Sequence, residues 1–283
     1  MIQRFGMQLL VGSVTFLLAS VIFYAVSASQ QPSERVKKGQ YFLRRAPKPQ
    51  FLVTGVSLDD LSKARFPNMY KVTERLAGPF GRTRTLFDKK SQEQVEITVA
   101  VYGSVDEAED ATLDLLNSVS AVLRPGNQWG GVIGTHSWYL RSPNGSGAVV
   151  FIHNNSLFQL SSPDYNLAER SARSIVGDLI KGVNGVTLGK KVQIPKITDV
   201  VVPKDVRKNE KASLNVRALD PSQSKLSFVV TASKGQVLDT DKTNEKIYIS
   251  TEFGTDELKV YTINEANVVS QVFVKGLTVA GQK

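Results

Sequence analysis

No charged residue lies between Arg4 and Glu34, and that gap constrains the chain more than any other feature. Its apolar heart reads Leu9-Leu10-Val11, Phe16-Leu17-Leu18-Ala19 and Val21-Ile22-Phe23-Tyr24-Ala25-Val26. At about 1.5 Å per residue, roughly 20 residues cross the hydrocarbon core of a bilayer. Residues 7–26 meet that length, so a single transmembrane helix is expected within residues 1–31. A cleaved signal peptide competes with this reading. Arg4 gives a thin basic start, and Val26-Ser27-Ala28 offers small residues for cleavage. The apolar run exceeds the roughly 7–15 residues usual for such peptides, which favours an uncleaved anchor.

Charge supports a membrane setting. The chain carries 35 Lys/Arg against 26 Asp/Glu, a formal net charge of +9. Seven of the basic groups and one acid, Glu34, fall in the first 50 residues. Six of the seven, Arg35, Lys37, Lys38, Arg44, Arg45 and Lys48, lie in the linker 32–50 after the apolar run. There they suit anionic headgroups, at roughly 1 kcal/mol each near the surface. A nucleic-acid protein would carry its basic stripe on the folded part, so no nucleic-acid partner is expected. The same cluster, read by the positive-inside tendency, argues for cytoplasmic domains. That tendency weakens for long translocated domains, and the C-terminal region points outward. The two signals stand in conflict.

The absence of cysteine removes disulfides, thiolate nucleophiles and Cys-type zinc sites. Apolar content of 41% gives the remaining residues enough material for real cores.

An α+β domain is expected over residues 51–190. Residues 95–102 alternate as a half-buried strand, paired with residues 82–87 through the turn Asp88-Lys89-Lys90-Ser91-Gln92. Ser104-Val-Asp-Glu107 reads as a capping box opening a helix. Ala108, Ala111, Leu115, Val119 and Val122 form its apolar stripe, and Pro125-Gly126 its stop. Strands follow at 136–141, 148–153 and 156–160, with Asn144-Gly145 and Asn154-Asn155 between them. A second main helix spans 166–181 and ends at Gly182. This order predicts an antiparallel sheet with its helices on one face.

Residues 195–283 change character. Six short strands are expected, at 197–202, 212–218, 225–231, 246–250, 257–264 and 268–274, a β-sandwich pattern. Val202-Pro203-Lys204-Asp205-Val206, then Glu210 through Pro221, then Leu226-Ser227-Phe228 resemble bacterial Ig-like or cadherin-like surface modules. Gly235-Gln236-Val237, Leu258-Lys259-Val260-Tyr261 and Val272-Phe273-Val274 continue the likeness. The resemblance implies a spacer or adhesive unit on an exported protein. Calcium-binding relatives carry several aspartates at the turn that here reads Asp220-Pro221-Ser222-Gln223-Ser224, which supplies one.

No cofactor or metal motif is found. His136 and His153 fall on expected strands, placed to be neighbours across a hairpin, but lack ligand spacing. Trp129 and Trp138 bracket a glycine-rich stretch, where a recognition loop would sit if the domain binds a ligand. Gly145-Ser146-Gly147 is too short for a nucleophile elbow. The chain therefore reads as a non-enzymatic, single-pass, extracytoplasmic scaffold, periplasmic or at the cell surface. Protein partners in the envelope are expected, with the chain as an accessory subunit of a larger complex. The alternatives are a solute- or glycan-binding surface protein using Trp129, Trp138, His136 and His153, and an exported hydrolase using either histidine.

Overall fold

The computed structural model describes residues 49–119, 123–126, 131–204 and 206–280. The apolar segment 7–26, the six basic linker residues and Trp129 lie outside them. Among the described residues no helix is long and apolar enough to cross a membrane.

The first half is built on a seven-stranded antiparallel sheet. Its strands are β2 (Tyr70–Leu76), β3 (Arg82–Phe87), β4 (Gln94–Val101), β5 (Arg124–Pro125), β6 (His136–Arg141), β7 (Gly147–His153) and β8 (Ser156–Ser162). They lie in the order β2-β3-β4-β8-β7-β6-β5. A two-stranded ribbon, β1 (Leu52–Val56) with β9 (Val186–Gly189), packs on one face. Helix α1 (Leu58–Arg65) and helix α3 (Tyr165–Lys181) cover that same face through Leu58, Leu61, Ala168, Ala172, Ile175 and Leu179. Helix α2 (Val105–Ser118) covers the other through Ala108, Ala111, Leu115 and Leu116.

Helices therefore lie on both faces, not on one. Burial on both sides leaves apolar residues at both parities of a strand. Val99 and Val101 enter one core while Ala100 enters the other, and β7 runs Val149-Val150-Phe151-Ile152 without a polar break.

Two expected boundaries move. Helix α2 begins as expected, with the Ser104 hydroxyl accepting from Glu107 N–H at 3.1 Å. The Glu107 carboxylate reaches back to Gly103 N–H at 2.9 Å, one residue beyond the usual partner. The helix then ends at Ser118, earlier than the stripe suggested, and Arg124-Pro125 pairs with Tyr139 and Trp138 as β5. Helix α1 is an element the sequence did not suggest. Its eight residues hold one short apolar stripe, yet Ser57 caps it and Asp59 and Asp60 occupy its first turn.

The second half is a β-sandwich of two four-stranded sheets. One runs β10 (Lys196–Val201), β12 (Ala212–Leu219), β15 (Glu245–Ile249), β14 (Gln236–Asp239). The other runs β11 (Val206–Arg207), β17 (Phe273–Ala280), β16 (Gly254–Asn264), β13 (Leu226–Ala232). Taking the strands in chain order, this is the ABED-plus-CFG arrangement of an Ig constant-type sandwich, with a split first strand pairing parallel to the last. The last strand is displaced from the expected 268–274 to Phe273–Ala280, and residues 268–270 do something else.

Candidate functional site

Those residues form the junction between the halves. The β16–β17 connection leaves the sandwich and completes the first half. Val56 N–H donates to Ala266 O at 2.8 Å and Val101 N–H to Asn267 O at 2.9 Å. Val269 N–H donates in turn to Val101 O at 2.9 Å. Val268 thus pairs parallel with the end of β4. As successive residues of a strand must, Val268 enters the core on one sheet face and Val269 the core on the other.

Asn267 holds the turn. Its φ of 59° is one that asparagine tolerates better than most residues, and its amide donates to Val56 O at 2.6 Å. Gly55 makes room for the loop, because a Cβ there would lie 2.8 Å from that of Ala266. Ile263 and Tyr261 of the sandwich pack against the α2-side core. The helix is therefore held between the seven-stranded sheet and the sandwich.

Beside the loop is a charged cleft of about 600 Å³. Arg84, 6% exposed, donates to Glu74 through Nε and Nη2 and reaches Asp59 at 2.7 Å. Arg82 donates to Glu74 at 3.0 Å and crosses to Ser227 of the sandwich at 3.3 Å. Burial would raise the Glu74 pKa, but hydrogen bonds from Arg84 and Arg82 outweigh it and hold the carboxyl below its ordinary value. Asp59 is likewise lowered, first by its hydrogen bond with Arg84. These ions neutralise one another, so the cleft serves as a tether between the halves.

A polar clamp within the first half sits at Asn155, which is fully buried. Its side chain accepts from Val53 N–H at 2.8 Å and donates to Val53 O and Tyr102 O, both at 2.7 Å. The Asn154-Asn155 pair reads as a plain turn in sequence. Only Asn154, with φ of 55°, plays that part.

The residues singled out from sequence do not gather into one site. Trp138 is 5% exposed and belongs to the α2-side core. His136 lies on the same face, its ring 6.4 Å from that of Trp138. His136 pairs with Ile152, so His153, the next residue, points to the opposite face. The histidines are not neighbours. His136 Nε2 and His153 Nδ1 are both buried without a hydrogen-bond partner, and burial lowers both pKa values. Among the described residues no group of His, Cys, Asp and Glu gathers as a metal site. Asp220 accepts hydrogen bonds from the hydroxyls and N–H groups of Ser222 and Ser224, which bind it into its own turn.

The open cavity of the first half lies under the C-terminal end of α2 and holds about 270 Å³. Sheet register builds its floor. One row runs Thr83, Thr98, Gln159, Val150, Trp138 across five strands. The next runs Thr85, Glu96, Ser161, Ala148, Leu140. The row on the other side, with Ala100, Leu157 and Ile152, is apolar and belongs to the core under the helix. Helix α2 is too short to cover all three rows, and the polar ones stay open beneath its end.

No family model matches the chain, and no curated protein matches it. Among solved structures, one of Clostridium thermocellum CbhA fibronectin(III)-like modules aligns with 15% identity and a TM-score of 0.27. The alignment covers 54% of this chain and 65% of that one, so the chain spans less than two thirds of its length. The sandwich assignment rests on strand order and register, not on this weak likeness.

Proposed function

We propose that the chain is a membrane-anchored extracytoplasmic scaffold, which holds two folded units at a fixed angle for protein partners in the envelope. The observation that carries this reading is the junction. A spacer of flexible beads needs no backbone pairing between its units, whereas here residues 264–271 are hydrogen-bonded into the first half from both sides. A rigid double unit suits an accessory subunit that must present two surfaces in register. The uncharged segment 7–26 and the basic linker support attachment to a bilayer. The Ig-type strand order supports an exported setting.

The test is protease accessibility of a C-terminal tag in sealed, right-side-out vesicles. The reading expects the tag to be cleaved while the N-terminal fragment stays with the membrane after an alkaline wash. A protected tag would place the units on the cytoplasmic side, and a chain released by the wash would remove the anchor.

A further inference from the structure

We propose that the cavity under the end of α2 is a binding site for one neutral, hydroxyl-rich ring of the size of a single sugar unit. The inference goes beyond the scaffold reading and does not depend on it.

Charge narrows the ligand first. The charged residues of the lining are Arg75 and Glu96, and they pair with each other at 3.0 Å. A charged ligand would find no free counter-ion there. Hydrogen bonding narrows it next. The Gln159 amide and the Ser161 hydroxyl are half-buried on the floor, and no described residue partners either side chain. The Thr83 and Thr98 hydroxyls bond to each other at 2.9 Å, which leaves each with further capacity. A purely apolar ligand would strand these groups, at about 1–3 kcal/mol for each one left unpaired.

The opposite wall is apolar. Phe80, Leu115, Val119 and Leu123 face the hydroxyl rows across the cavity. A pyranose has the matching division, with hydroxyls at its rim and C–H groups on its faces. Size agrees, since the cavity lies just below the roughly 300–1,000 Å³ of pockets for drug-sized ligands.

The experiment titrates the full chain, held in a detergent without a sugar headgroup, with the methyl pyranosides of glucose, galactose, mannose and N-acetylglucosamine. Saturation-transfer NMR detects binding up to about 10 mM, and calorimetry measures the affinity of any binder. At least one pyranoside is expected to bind. Gln159→Leu should weaken it about fivefold to tenfold, in line with one lost neutral hydrogen bond. Ala148→Leu, which fills the floor, should abolish it. Ser161→Ala is the milder variant if either of these lowers the thermal transition, and it should weaken binding severalfold. Silence from all four sugars overturns the proposal. Binding that is unchanged in every folded variant also overturns it, because the sugar would then sit elsewhere.

Discussion

The two halves solve the same problem of burying a sheet in different ways. The sandwich buries one face of each sheet, so its strands alternate cleanly. Leu214 and Val216 point inward while Ser213 and Arg217 face solvent, and Leu258 and Val260 do the same around Glu257 and Lys259. The seven-stranded sheet is covered on both faces, so β4 and β7 carry apolar residues at either parity. What differs is the source of specificity. Alternation sets the sandwich register with one polar knot beside it, whereas the first half relies on buried polar clamps at Asn155 and at the loop around Asn267.

The largest effect is expected from Asn155→Ala. It leaves Val53 N–H, Val53 O and Tyr102 O without their partner, and should cost about 3 kcal/mol by urea denaturation. A loss below about 1 kcal/mol would mean that apolar packing alone holds β1 in place.

The sandwich has one comparable polar knot. Asp256 accepts from Ser233, Gly235, Glu257 and the Tyr248 hydroxyl. Burial pushes its carboxyl up, but these donors outweigh it and lower the pKa from 3.8 to about 2. The folded value lies below the unfolded one. The stabilisation is therefore complete above about pH 4 and lost as pH falls toward 2, roughly 2 kcal/mol in all. Asp256→Asn should flatten that acid limb. An unchanged limb would assign it to other carboxylates.

The histidines give the first half a sensitivity to mild acid, and the sandwich contains no histidine. Both are lowered by burial from 6.5, so the unfolded chain takes their protons first. Stability should be complete above about pH 6.5 and fall below it, by at most about 1.4 kcal/mol per pH unit for each histidine. Replacing both with Leu should remove the slope between pH 6.5 and 5, and a persisting slope would clear them of it. The smallest effect is expected at Gly182, which ends α3 with φ of 63°. Gly182→Ala should cost about 1 kcal/mol in thermal unfolding, and a stabilised variant would show that the turn relaxes.

Legibility followed the same division. Strands β6, β12 and β16 stand where alternation and turn residues place them, and Gly182 stops α3 as expected. Elements whose partners lie far along the chain were hidden. Strand β2 is exposed along most of its length and shows no buried stripe. The pair β1–β9 joins residues 52 and 189. Residues 265–267 read as an ordinary connection between strands at 257–264 and 268–274, because nothing local shows that Asn267 and Val269 bond to a strand more than 160 positions away. The cavity was hidden for a related reason. Thr98 and Glu96 look like the wet side of a half-buried strand, and only the end of α2 turns that side into an enclosure. Trp138, which drew attention as an aromatic anchor, belongs to the core.

The backbone bonds at the junction predict that the halves move as one body. The chain has no cysteine, so Val183→Cys in the first half and Leu219→Cys in the sandwich give unique labelling sites, both exposed. Pulsed electron–electron resonance between spin labels at these positions should return one narrow distance distribution. A broad distribution, spanning the range of two units on a free hinge, would show that the junction does not fix the halves.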